Sequence, residues 1–261
     1  MSKKAFTLIE LLTVIGIITV LISIIIPSLK AVKHQVRFVI CRKNIAQLST
    51  SLLIYNEEND SFPLGFDDAS VLTGPPKNGY LGNLTRDKLG WWWLNHISED
   101  LSPKTIAWCP SRVVSDLADQ RNVLCGNYGV NRSICKDSPG ITGTVGSEFV
   151  GMPLRLSQIR NPSQTLLLTD SGYSLVSWKA AAESTSPRFD NPFRKMNFYI
   201  PGISFNKKWG LDISKTPKAI YGRHPNRKIN IGYSDGHVSS AEAESLIVDD
   251  PTNINYKWLG K

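Results

Sequence analysis

Residues 6–30, "FTLIELLTVIGIITVLISIIIPSLK", decide how the rest of the chain is read. From Ala5 to Leu29 the only charged side chain is Glu10. At about 1.5 Å per residue the uncharged part, Leu11 to Leu29, approaches the ~30 Å thickness of a bilayer's hydrocarbon core. A single membrane-spanning helix is expected. A cleavable secretory signal is the competing reading, since Lys3 and Lys4 give a basic start, but the apolar run is longer than the usual ~7–15 residues and no A-x-A site follows it. Glu10 is the anomaly, because a charge at membrane depth costs roughly 2.5–3.5 kcal/mol or more.

After Pro27 the pattern becomes periodic. Leu29, Val32, Val36 and Val39, then Cys41, Ile45, Leu48, Leu52 and Tyr55, recur at spacings of three and four, while Lys30, Lys33, Arg37, Arg42, Lys43 and Gln47 fall mostly off that stripe. The spacing predicts one helix from about Phe6 to Glu58, kinked at Pro27 or leaving the membrane there, and stopping near Asn59 in "NEENDSFPLG". The stripe on its second half requires something to pack against.

From Phe62 onward the sequence is rich in Gly, Pro and Asn and reads as an α+β domain with long connections. "LGWWWLNHISEDL" reads as a short helix, and "QTLLLTDSG" and "KINIGYSDGHVSS" as strands. In the last, Asp235-Gly236 between Lys228–Tyr233 and Val238–Ala241 predicts a hairpin closed by a tight primed turn. The loop-rich "AAESTSPRFDNPF" reads as a surface insertion.

The 261 residues carry a formal net charge of +8. Lys and Arg are spread thinly, with no run of four, so nucleic acid is not expected as a partner. The positive charges after the span would hold the C-terminal part in the cytoplasm by the positive-inside rule. Two features argue for export: long domains translocate largely regardless of charge, and four cysteines, Cys41, Cys109, Cys125 and Cys135, make an even set suited to an oxidising compartment.

"KKAFTLIELL" followed by an apolar helix resembles the type IV prepilin signal, with basic residues, a small residue, then Phe-Thr-Leu-Ile-Glu. The match extends to Pro27, where pilins and type II secretion pseudopilins carry a helix-kinking proline. The resemblance implies cleavage between Ala5 and Phe6 by a membrane-embedded prepilin peptidase, which also methylates the new amino group of Phe6. It departs at Ala5, where the family nearly always has glycine. It implies a leader at 1–5, a transmembrane and filament-core helix at 6–29, an amphipathic continuation at 30–58 and a globular domain at 59–261. Glu10, one turn from the new Phe6 amine, could then pair with that cation in its own or a neighbouring subunit. The plain alternative is a carboxylate near a helix start that reaches the headgroups.

"CRKNIAQLSTSLLIYNEENDSFP", "WCPSR", "GNYGVN", "IRNPSQTLLLTDS" and "RHPNRKINIGYSDGHV" together resemble the pilin-like family that joins such a signal to a C-terminal H-x9-DG domain. Here ten residues separate His224 from Asp235, the extra one falling in "HPNRK". The implied fold is pilin-like: a long helix packed on an antiparallel-sheet domain. The implied partners are the peptidase, other pilin or pseudopilin subunits and the inner membrane. The implied placement is a single-pass precursor with its domain outside the cytoplasm, assembled into a periplasmic or surface filament.

Asp170, His224, Asp235 and His237 offer metal-ligand chemistry at undiagnostic spacings, so structural roles are preferred: Asp235 in the turn, His237 in the following strand, Asp170 at a strand end. With no CxxC pair, no zinc site is expected. Disulfides are preferred, as Cys41–Cys109 and Cys125–Cys135. Trp91, Trp92 and Trp93 fill a core or, alternatively, form a sugar-stacking platform. No nucleophile elbow, catalytic triad or phosphate loop emerges, so neither an enzyme nor a cofactor is expected. The rival function is a tethered extracytoplasmic binder of polysaccharide or DNA on a pilin-type anchor.

Overall fold

The computed structural model describes residues 7–67, 91–97, 101, 104–112, 124, 127–138, 148–172, 174–178, 224–246 and 258. Helix α1 spans Leu8–Asn59 and runs unbroken through Pro27. A capping box starts it: Thr7 Oγ1 accepts from the Glu10 N–H at 3.3 Å and the Glu10 carboxylate accepts from the Thr7 N–H at 2.8 Å. Asp60, in the left-handed region at φ 57°, ends it. The expected limits, Phe6 and Glu58, therefore stand within two residues of the described helix, and the fold is α+β as the sequence predicts.

Two sheets follow. Strands β1 (Phe66–Asp67) and β2 (Trp91–Trp92) form a short antiparallel pair. A five-stranded sheet has the order β5-β3-β4-β6-β7, built from β3 (Tyr128–Asn131), β4 (Leu166–Asp170), β5 (Leu175–Val176), β6 (Lys228–Tyr233) and β7 (Val238–Glu242). All its pairings are antiparallel except β3 with β5. Among the described residues the tryptophan-rich stretch divides: Trp91 and Trp92 belong to β2, held extended by pairing with Phe66–Asp67, and Trp93–His96 is helical, as α2.

The second half of α1 lies on one face of the larger sheet. Cys41, Ile45, Leu48 and Leu52 are fully buried there with Trp92, Trp93, Tyr128, Leu167 and Leu168. Ile229 and Ile231 point to the opposite face, where they pack with Leu166, Val176, Leu246 and Trp258. The next residue of β6, Gly232, faces the helix. A methyl group at Gly232 would stand 2.2 Å from Ser49 Oγ and 3.1 Å from Ile45 Cγ2, so the missing side chain is what lets helix and strand approach.

The β6–β7 hairpin forms in the expected place with a different turn. Gly236 N–H bonds to the Tyr233 carbonyl at 2.9 Å, Tyr233 N–H bonds to the His237 carbonyl at 3.0 Å, and only Gly236 has positive φ, at 93°. This is a three-residue loop with a glycine bulge rather than the two-residue primed turn predicted from Asp-Gly. Of the two expected cysteine pairs, Cys41 and Cys109 meet, with Sγ atoms 3.6 Å apart as free thiols. Cys135 is buried, and Cys125 lies outside the described residues, as do Ala5, Phe6 and the 181–193 insertion.

Candidate functional site

Two features of the described chain carry chemistry beyond ordinary packing. The first is the surface of α1. Every residue from Thr7 to Val36 is exposed, and so are Val39 and Ile40. Within this stretch the hydroxyls of Thr13, Thr19, Ser23 and Ser28 each donate to the carbonyl three residues earlier, at 2.7–3.0 Å. Polar groups that bond to their own helix leave its exterior apolar, which suits hydrocarbon or a helix bundle. By length and composition this one helix could cross a membrane.

The exposed apolar face outlasts a bilayer. Leu8 to Leu29 covers about 33 Å, and Leu29, Val32, Val36 and Val39 continue the face for roughly 15 Å more. Val36 is 50% exposed and Val39 56%. The stripe read from sequence is thus two stripes: the part from Cys41 onward meets this chain's own sheet, and the part before it meets nothing among the described residues. Glu10 sits at the start of the face. Its carboxylate accepts from the Thr7 N–H at 2.8 Å and from the Thr7 hydroxyl at 2.7 Å, so it caps its own helix, a role the sequence reading did not assign.

The second feature is a buried cluster beneath the helix. Cys41 comes from α1, Cys109 from the loop after the 3-10 turn Lys104–Ala107, Asp170 from the end of β4, and His224 from the turn before β6. The ligand atoms of all four lie within 4.8 Å of one another, and all four residues are buried. The Cys41 thiol donates to Asp170 Oδ1 at 2.8 Å, and Asp170 Oδ2 accepts from the Asn230 N–H at 2.7 Å. His224 Nε2 stands 3.1 Å from Asp170 Oδ2, within ion-pair distance, and its Nδ1 has no hydrogen-bond partner. Phe38 meets the imidazole edge-on, with ring centroids 5.2 Å apart.

Local sequence explains how His224 gets there. Pro225–Arg227 forms a 3-10 turn in which Asn226 takes φ 58°, and the His224 N–H closes onto the Lys228 carbonyl at 3.2 Å. This turn brings His224 to Asp170, while Lys228 onward pairs in register with β7.

Electrostatically the cluster is tightly coupled. Burial pulls the His224 imidazole downward, but Asp170 and Cys109 outweigh it and raise it to about 9. Burial, with Cys109 and Asp170 adding to it, pushes the Cys41 thiol well up. Burial and the same three acids push up the Tyr128 phenol, whose hydroxyl reaches Cys41 and accepts from Asn44 Nδ2 at 3.2 Å.

Comparison with protein-family models, curated proteins and solved structures finds no match to this chain. What the chain shows by itself is a layout like that of pilins, a long apolar N-terminal helix followed by a small sheet domain.

The four ligand candidates read from sequence separate into two pairs. Asp170 and His224 join Cys41 and Cys109, whereas Asp235 and His237 contact each other at 2.6 Å on the exposed hairpin, with His237 stacked on Tyr233 at 4.2 Å. Structural roles fit Asp235 and His237. Two of the three tryptophans are core and Trp91 is half-buried: Trp92 and Trp93 are buried, and Trp93 Nε1 donates to the Ser174 carbonyl at 2.9 Å and to its hydroxyl at 2.7 Å. A stacking platform would need their faces in solvent. The Cys–Cys–Asp–His grouping was missed because its members are separated by 68, 61 and 54 positions, and no local motif announces it.

Proposed function

We propose that the chain is a structural subunit, of the minor kind, of a type IV pilus-like or type II secretion pseudopilus filament. In this reading a prepilin peptidase cuts between Ala5 and Phe6 and methylates Phe6, and the chain enters the filament from the inner membrane. The observation that carries the reading is the apolar face of α1, exposed in the single chain and about 15 Å longer than a bilayer needs. A lone anchor has no use for Val32, Val36 and Val39 beyond the membrane. A bundle of such helices buries them, at roughly 25 cal/mol per Å² of apolar surface.

Glu10 fits the same reading. Its position, one turn inside the helix, puts a carboxylate where a new Phe6 amine, its own or a neighbour's, can compensate it. The self-hydrogen-bonded Thr and Ser side chains let the span serve first in lipid and then in a filament core.

The test is to place charge on the face outside the membrane. Val36→Asp and Val39→Asp change exposed positions, so folding and membrane insertion persist, while co-assembly with the other pilins of the same cell is lost in sheared-filament preparations. A tethered binder would be indifferent to both. Undiminished incorporation of the double variant would refute the reading.

A further inference from the structure

The buried cluster under α1 has the donor set of a metal centre. We propose that Cys41, Cys109, Asp170 and His224 bind one zinc ion in a closed, four-coordinate structural site, which clamps the helix to the sheet domain. The proposal stands apart from filament assembly and depends on none of it.

Geometry comes first. In a tetrahedral site with Zn–S of about 2.3 Å and Zn–N or Zn–O of about 2.0–2.1 Å, two sulfurs stand about 3.8 Å apart, a sulfur and an oxygen about 3.5 Å, and a nitrogen and an oxygen about 3.3 Å. The chain already places Cys41 and Cys109 Sγ at 3.6 Å, Cys41 Sγ and Asp170 Oδ1 at 2.8 Å, and His224 Nε2 and Asp170 Oδ2 at 3.1 Å. The widest separation in the group is within 4.8 Å, which side-chain rotation of about 1 Å closes.

Chemistry selects the ion. Two thiolates, an imidazole and a carboxylate form a mixed soft and borderline set, which suits zinc and not the oxygen-seeking magnesium or calcium. Four protein ligands, all buried, leave no open position for substrate, so the site is structural rather than catalytic.

The neighbours support the same reading. His224 is buried with Nδ1 lacking a hydrogen-bond partner and with Nε2 3.1 Å from Asp170 Oδ2, so its imidazole already faces the other three ligands. The Asn230 N–H already orients Asp170, and the Asn44–Tyr128 pair reaches the Cys41 sulfur, as outer partners orient ligands in known metal sites. As Zn²⁺ enters, the two thiols and the imidazolium release their protons to solvent. The centre is left with a net charge of −1, and no electron is transferred.

A disulfide between Cys41 and Cys109 is the competing fate of the two sulfurs. The test uses the full chain, purified in detergent without chelator under reducing conditions, with metal content measured as isolated and after incubation with zinc alone. About one zinc per chain is expected. Replacement by Co²⁺ should give the intense visible bands and sulfur charge-transfer absorption of a tetrahedral thiolate site, a readout that needs no variant. The Cys109→Ser/His224→Gln double variant should lose the metal, while Asp235→Asn, on the surface hairpin, should keep it. Absence of bound metal in the wild type after incubation with zinc overturns the proposal, whether mass mapping then finds a Cys41–Cys109 disulfide or two thiols. Metal retained undiminished by the double variant overturns it as well.

Discussion

At Glu10 two roles are superimposed, and they separate experimentally. The carboxylate caps α1 through Thr7, a role glutamine performs equally at the third helical position. Charge compensation of a neighbouring amine needs the carboxylate itself. Glu10→Gln should therefore keep the helix start yet fail in filament incorporation as fully as Glu10→Ala, both variants remaining in the membrane fraction. Normal incorporation of Glu10→Gln would reduce the residue to a cap. His96 offers a second test at this scale. Burial lowers its imidazole below the ordinary 6.5, partly opposed by Asp67, and its ring lies against Trp91 and Tyr55 at 5.6 and 5.8 Å. The unfolded chain then takes up a proton at higher pH than the folded one, so stability should fall as pH drops through about 6.5 and below. His96→Phe keeps the ring contacts and should flatten that part of the stability profile, as read by denaturant midpoint across pH.

Among the elements, α1 and β6 are set by what they lack as much as by what they carry. Gly232→Ala drives a methyl group into Ser49 and should cost about 1–3 kcal/mol, the usual penalty of overpacking. Removing the obstructing hydroxyl in Ser49→Ala/Gly232→Ala should recover most of it, a non-additivity that equilibrium unfolding detects. Additive losses would show that the strand and helix do not meet there. The limits of α1 were legible because a long apolar and then periodic run ends in the turn-rich "NEENDSFPLG". β4 and β6 were legible from continuous or alternating apolar residues. Strands β1, β2 and β5 were not, being two residues each and stabilised by partners distant in sequence. The β6–β7 turn shows the limit of a dipeptide rule: Asp235-Gly236 announced the hairpin, but Ser234 joins the loop by bonding to the Thr165 carbonyl at 3.0 Å, and this sets the longer turn.

For the whole molecule, the division at Cys41 organises everything. On its N-terminal side the helix shows its apolar residues outward; on its C-terminal side it buries them in its own domain. The sequence displayed one stripe and could not show where its partner changed, since a stripe is the same whether it meets its own sheet or another chain. The buried cluster was illegible for a related reason: its four residues come from α1, the end of β4 and two loops, and are joined by tertiary packing. The central claim, that the outward half serves a processed filament subunit, has a direct measurement in mass spectrometry of the mature N-terminus from cells containing a prepilin peptidase. The first peptide should begin at N-methylated Phe6. A peptide beginning at unmodified Met1 or Ser2 would contradict it.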